Sequence, residues 1–427
     1  MDAGRASGTH HGKPRMKEDL GMFKKLFGLF LAALMLASAL PALAEAPVEL
    51  EVWHYFGNDS LYLVEKMEEF NTIQSEIKLN IQYVQRDDLL KQYTMGAVSG
   101  ELPDIGMVDN PDMAAFIQMG VFADITDQLE AWGELDNFFV GPLASATQDG
   151  RIYGLPQNSN CLALFYDVDV FEAAGLEVPT TWSELEEVAA KLTDPETGTY
   201  GLAISAVKNE EGTFQFMPWF ISAGGSLENL SGKGCVDALS FLSGLVEKGY
   251  MSRDIINWTQ SDANNQFVAG NAAMQINGPW QIPMLQSDSP DKNYAVALVP
   301  RADDGVYASV LGGENFGVTT ACKNVDAAVK VLMYLLDKDL NADVCVNTGK
   351  FSPRADSMAS RPEWSEDPIL SVFSEGMQYA MPRGPHPRWP EISAAICVAE
   401  HEVFTGTRTV EEALADAEAK VTELLSK

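Results

Sequence analysis

Period-2 segments and segments of helical periodicity follow one another from Val48 onward, and this rhythm limits what the chain can fold into. Val48-Glu-Leu-Glu-Val-Trp53 alternates apolar and polar residues and predicts a strand. Leu61, Val64, Met67 and Phe70 recur at spacing 3 and predict a helix over Leu61–Asn71, capped by Asn58 or Asp59. Alternation returns at Ile77–Tyr83, helical spacing at Asp87–Val98, and a short apolar strand is expected at Ile105–Val108, before a helix at Pro111–Met119. The second half repeats the pattern: strands around Cys161–Tyr166, Gly201–Ser205, Ala272–Ile276, Tyr294–Leu298 and Phe316–Thr319 are interleaved with helices that include Trp182–Leu192, Phe214–Ala223 and Val410–Leu425. Strands alternating with helices build an α/β sheet with crossover helices.

At 427 residues the chain has room for two or three domains. Acids outnumber bases 61 to 29, a net charge of −32, so a nucleic-acid backbone would be repelled. Met22-Phe23-Lys24-Lys25, the apolar run Leu26–Leu40 and Pro41-Ala-Leu-Ala44 have the three parts of a secretory signal, with cleavage expected after Ala44. Residues 1–21 read as an upstream extension or an overlong choice of start site, since Met22 opens a complete signal by itself. The apolar run is short for a membrane span, and no later segment reaches about 18 uninterrupted apolar residues. The first Cys is Cys161, so no lipid-modified Cys adjoins the cleavage site, and a protein free in the periplasm or outside the cell is expected. The five Cys are scattered and odd in number; they read mainly as small buried apolar residues, and no disulfide can be paired from spacing.

Signatures of chemistry fail on inspection. Asn347-Thr-Gly-Lys350 lacks the glycine and the Ser/Thr of a phosphate loop. The segment from Asp337 has Ala342 where a calcium loop turns on glycine. Beyond Ala44 the histidines are His54, His386 and His401, with no HExxH, so no metal site and no cofactor are expected. Nothing nominates a catalytic residue.

Several motifs occur in order: Glu101-Leu-Pro-Asp-Ile-Gly-Met-Val-Asp109, Gly120-Val-Phe-Ala-Asp-Ile-Thr126, Asp149-Gly-Arg-Ile-Tyr-Gly-Leu-Pro156, Val178-Pro-Thr-Thr-Trp-Ser-Glu-Leu185, Phe267-Val-Ala-Gly-Asn-Ala-Ala-Met-Gln-Ile-Asn-Gly-Pro-Trp280 and Leu311-Gly-Gly313. With them the chain resembles the extracellular solute-binding proteins of ABC transporters, in the sugar-binding family 1 that includes maltose-binding protein. The resemblance implies a periplasmic-binding-protein-like α/β fold: two lobes joined by a three-segment hinge, with the ligand in the cleft between them. By position the lobes would be 45–157 plus 311–348 and 158–310 plus 349–427. It further implies a non-catalytic, monomeric receptor that closes by hinge rotation and delivers a small carbohydrate to membrane permease subunits. A secreted hydrolase and a sensor or adhesin subunit on the same fold are the alternatives. Ligand positions depart from the maltose-binding pattern, so maltose specificity does not carry over.

A pyranose needs a flat apolar wall and a rim of hydrogen-bonding groups. Trp280 matches the position where the family stacks a sugar; a core Trp at a helix start is the other reading. Trp389, in Pro382-Arg-Gly-Pro-His-Pro-Arg-Trp-Pro390, resembles a late cleft aromatic or anchors a loop. Trp219 suits cleft and core equally. His54 and Tyr55, with Phe56, follow the first strand, and one or two of the three are expected to face the cleft. Asp109 and Asn110 can cap a helix or meet ligand, Asn158 and Asn160 lie in a crossover, and Glu314 follows Gly312-Gly313. Arg354 and Arg383 become candidates with an acidic ligand and otherwise belong to a solvated surface.

Overall fold

Strand Val48–His54 buries alternate residues, as its period-2 pattern requires, and takes parallel partners on both sides, Ile77–Tyr83 and Ile105–Asp109. Strand Glu314–Val318 adds antiparallel to Ile105–Asp109, and Gly154–Pro156 completes a five-stranded mixed sheet. A second sheet of four strands runs in the order Tyr294–Ala297, Ala163–Asp167, Ala272–Asn277, Tyr200–Ala203. The computed structural model describes residues 46–57 and 60–426. The expected signal segment and the Asn58 or Asp59 cap lie outside the described residues; Ser60 occupies the cap position of helix Leu61–Ile73.

Each sheet has its own apolar core, giving two lobes. Around the first pack Leu50, Val52, Met67, Phe316 and helix Val325–Leu335. Around the second pack Leu164, Met274, Trp182, Trp219 and the helices Trp389–Phe404 and Val410–Leu425. The helices follow local rules. Thr181 and Glu184 form a reciprocal capping box at Trp182–Leu192, and Thr409 with Glu412 does the same at Val410–Leu425. The failed calcium loop is helix Lys338–Asn347, and the Pro-rich stretch ends by opening helix Trp389–Phe404, because Pro390 falls in its first turn where no N–H is needed.

The chain passes from one lobe to the other through stretches that lie side by side. Ser159 and Phe351 exchange backbone hydrogen bonds of 2.7 and 2.9 Å, and Asn160 and Gly312 exchange bonds of 3.0 and 2.9 Å. Gly313 has φ +146°, and a Cβ there would stand 2.2 Å from the Asn158 carbonyl oxygen; only glycine lets these strands of chain approach.

All five cysteines are buried free thiols, in line with their apolar reading. Trp219 belongs to the core and not to the cleft: it is fully buried against Trp182 and Phe241, at ring-centroid distances of 6.2 and 5.9 Å. Its indole N–H has no hydrogen-bond partner among the described residues. We expect Trp219→Ala to cost about 3–5 kcal/mol of stability, while Trp219→Phe, which keeps a ring and removes the orphaned donor, costs much less. Urea midpoints of the two variants check this; equal losses would contradict it.

Candidate functional site

The carboxyl ends of three strands converge on one cavity of about 400 Å³, within the range of small-molecule sites. Tyr55, Phe56 and Gly57 leave the Val48–His54 strand, Asp109 ends Ile105–Asp109, and Gly278 and Trp280 follow Ala272–Asn277. Glu314 pairs with Asp109 across the sheet and so reaches the same rim. Ligand sites at the carboxyl ends of strands are the rule in open α/β sheets.

Trp280 lies back over Gly278, where a Cβ would fall 1.9 Å from the indole ring. Its ring is 6.1 Å from that of Phe214, and both line the cavity. Tyr55, Asn160, Gln260, Glu211 and Glu314 line the same cavity. Asn160 Oδ1 and Gln260 Nε2 are buried without a hydrogen-bond partner among the described residues. Asn158 lies behind the wall and donates its amide to Glu314 Oε2, fixing that carboxylate.

One end of the cavity is a buried ionic network. Arg383 donates to both Asp109 oxygens at 2.8 and 3.0 Å, to Glu210 at 2.7 Å, to Asn110 Oδ1 at 3.1 Å and to the Leu311 carbonyl at 3.4 Å. Its guanidinium sits 4.4 Å over the Phe214 ring. Arg86 reaches Asp109 at 3.2 Å and Asp112 at 3.0 Å. Trp389 Nε1 donates to the second Glu210 oxygen at 3.1 Å. Lys350 donates to Ser60 Oγ at 2.8 Å and lies 4.1 Å over the Phe56 ring. Burial works against the Arg86 and Arg383 charges, but the facing carboxylates outweigh it and raise both guanidiniums above their ordinary range. Burial, reinforced by the Glu314 and Asp109 carboxylates, keeps the Tyr55 phenol protonated well past its usual value.

Of the ten predicted ligand residues, Tyr55, Asp109, Asn160, Trp280 and Glu314 line the cavity. Asn110 and Asn158 hold lining groups from behind. His54 points into the protein, 3% exposed, and burial pushes its imidazole down. Trp389 is 1% exposed in the second core and meets the site only through its N–H, so the loop-aromatic reading is corrected. Neither arginine is solvated. Arg354 is buried away from the cavity against Glu134, Asp356 and the Leu336 carbonyl, whereas Arg383 lines it. Arg86, Glu210 and Glu211 were missed. Asn209 caps helix Glu210–Ser222 with two glutamates in its first turn, a polar N-terminus that a helix predicted to begin at Phe214 hides.

Two sheets flanked by helices, adjacent crossings and a polar cavity at the strand ends define a binding protein for a small solute. Residues 65–372 match the profile of the bacterial extracellular solute-binding proteins, and the chain belongs to that family. A binding protein of Brucella abortus is 26% identical over 412 residues, 93% of this chain and 97% of that one. The lactose-binding protein of Rhizobium radiobacter is 25% identical over 329 residues, 73% and 75% of the two chains. An ABC transporter solute-binding protein of Thermotoga lettingae, solved with α-D-tagatose, superimposes with a TM-score of 0.80 at 27% identity, covering 88% of this chain and all of the other.

Two buried carboxyls give the fold a pH signature. Asp112 beside Arg86 is pushed up to about 7 by burial, against the pull of that arginine. Glu400, 3% exposed with Oε1 unpartnered among the described residues, is pushed up to about 8 by burial and by Glu210. Unfolded, both titrate near about 4. Between these limits the folded state holds protons the unfolded state has lost, so their contribution to stability is complete below about pH 4 and falls as pH rises through the folded values. His54, with its lowered value, contributes in the opposite sense below its ordinary range. We expect Glu400→Gln to flatten the fall of melting temperature between pH 5 and 8; a slope equal to that of the wild type would reject this origin.

Proposed function

We propose that the protein is a non-catalytic receptor that binds a carbohydrate in this cavity and delivers it to the permease subunits of an ABC transporter. The observation that carries the reading is one cavity lined both by aromatic rings, Trp280 with Phe214 at 6.1 Å, and by carboxylates and amides. Such a surface covers the C–H face of a pyranose while Glu211, Glu314, Asn160 and Gln260 serve its hydroxyls. Lactose and tagatose, named for two relatives, support the same class.

The proposed lobes are 45–157 plus 311–348 and 158–310 plus 349–427, rotating about the three adjacent crossings and closing as a monomer. Leu26–Leu40, behind Lys24-Lys25, acts as a cleaved signal and releases the protein to the periplasm or the medium.

A carbohydrate panel tests the reading. A ligand at a hundredfold excess over Kd adds about 2.7 kcal/mol of stability, so a few sugars raise the melting temperature and chromatography shows them unchanged; release of cleaved product would sink the receptor assignment. Trp280→Ala is expected to weaken binding by about 1–3 kcal/mol, on the scale of ring stacking against bases. Its unliganded stability should move far less than that of Trp219→Ala.

A further inference from the structure

The cavity contains three cationic side chains, and on composition alone it could be taken for an anion site. The geometry argues otherwise. All five N–H donors of Arg383 are committed: Nη1 to Asp109 and Glu210, Nη2 to Asp109 and Asn110, and Nε to the Leu311 carbonyl. A carboxylate or phosphate on a ligand would have to displace a buried bidentate partner before it could use that fork. Arg86 directs its Nη2 at Asp109 and, from behind, at Asp112. The lining carries Arg86, Lys350 and Arg383 against Asp109, Glu210, Glu211 and Glu314. Three cations face four carboxylates, so the wall carries one acid in excess, before Asp112 behind Arg86 is counted. Glu210 and Glu211 stand in the first turn of helix Glu210–Ser222, and Glu211, whose carboxyl burial pushes up, accepts the Gln260 N–H at 2.7 Å.

Resting on the receptor reading, we infer that the site takes uncharged sugars and excludes sugar acids and sugar phosphates, with Asp109 and Glu210 as the specificity-determining residues. Their role is to occupy Arg383. What remains exposed to ligand is acceptor-rich, suited to the hydroxyl donors of a neutral sugar. An added anion against these buried carboxylates meets like charge that is screened less than in bulk water.

The test uses matched pairs on the full protein by titration calorimetry: galactose with galacturonate, glucose with glucuronate and glucose 6-phosphate, and lactose with lactobionate. The expected result is that the uncharged member of any pair that binds is at least about tenfold tighter. An acidic member binding as well or better overturns the inference and leaves the receptor standing. Binding by no sugar of either kind removes both. Asp109→Asn and Glu210→Gln, each checked for folding by its melting curve, are expected to raise the affinity for the acidic member relative to the uncharged one. An unchanged ratio in both folded variants would strip these two residues of the role.

Discussion

The backbone pairing of the crossing segments is the constraint on which the site depends. Ser159 bonded to Phe351, and Asn160 to Gly312, bring chain separated by some hundred and fifty residues or more into one narrow waist. The waist sets where the cavity can form. Gln157 and Asn110 extend it, donating their N–H groups to Glu314 at 2.7 Å and Gly313 at 2.9 Å, so Asp109 and Glu314 are held at one level. The glycines at 312 and 313 are the local condition, since side chains there would collide with Asn160 and with the Asn158 carbonyl.

The ionic network crosses the same region with different physics. Arg383 lies close after strand Ala380–Pro382 and bonds on one side to Asp109 of the first sheet and on the other to Glu210 of a helix in the second core. Desolvating these charges is costly, and such a network is weak evidence for stability in itself. Its value is geometric. A planar guanidinium with every donor filled has one orientation, and a lysine in its place would supply a point charge with no fork. The cavity wall on that side is thereby fixed before any ligand arrives.

The fold was legible because strand alternation and helix caps are local signals. Val48–His54, Ile77–Tyr83 and Trp182–Leu192 fall where period and capping box put them. The site was legible mainly where a residue lies at or near a strand end, as Tyr55, Asp109, Trp280 and Glu314 do. Trp219 and Trp389 were hard to place because an aromatic near a glycine pair or a proline run looks the same whether it faces a cleft or a core. Burial is decided by helices far away in sequence, such as Trp389–Phe404 packing on Glu210–Ser222. Arg383 was read as surface for the same reason: its three side-chain partners lie between 173 and 274 residues away, and nothing near it in sequence announces them.

These pieces bear on one another in binding. Aromatic surfaces give a sugar contact area but little discrimination, because a stacked ring tolerates many pyranoses. Discrimination then falls to charge and to directed hydrogen bonds, and those are the groups the fold holds most rigidly. Asn158 orients Glu314, the Gln260 N–H anchors Glu211, and Asp109 with Glu210 occupies Arg383. A pocket built this way spends its cations on its own architecture and offers the solute mainly acceptors. Net negative charge over the whole chain would then repel stray anions at long range, and Arg383, its donors filled, would refuse them at contact.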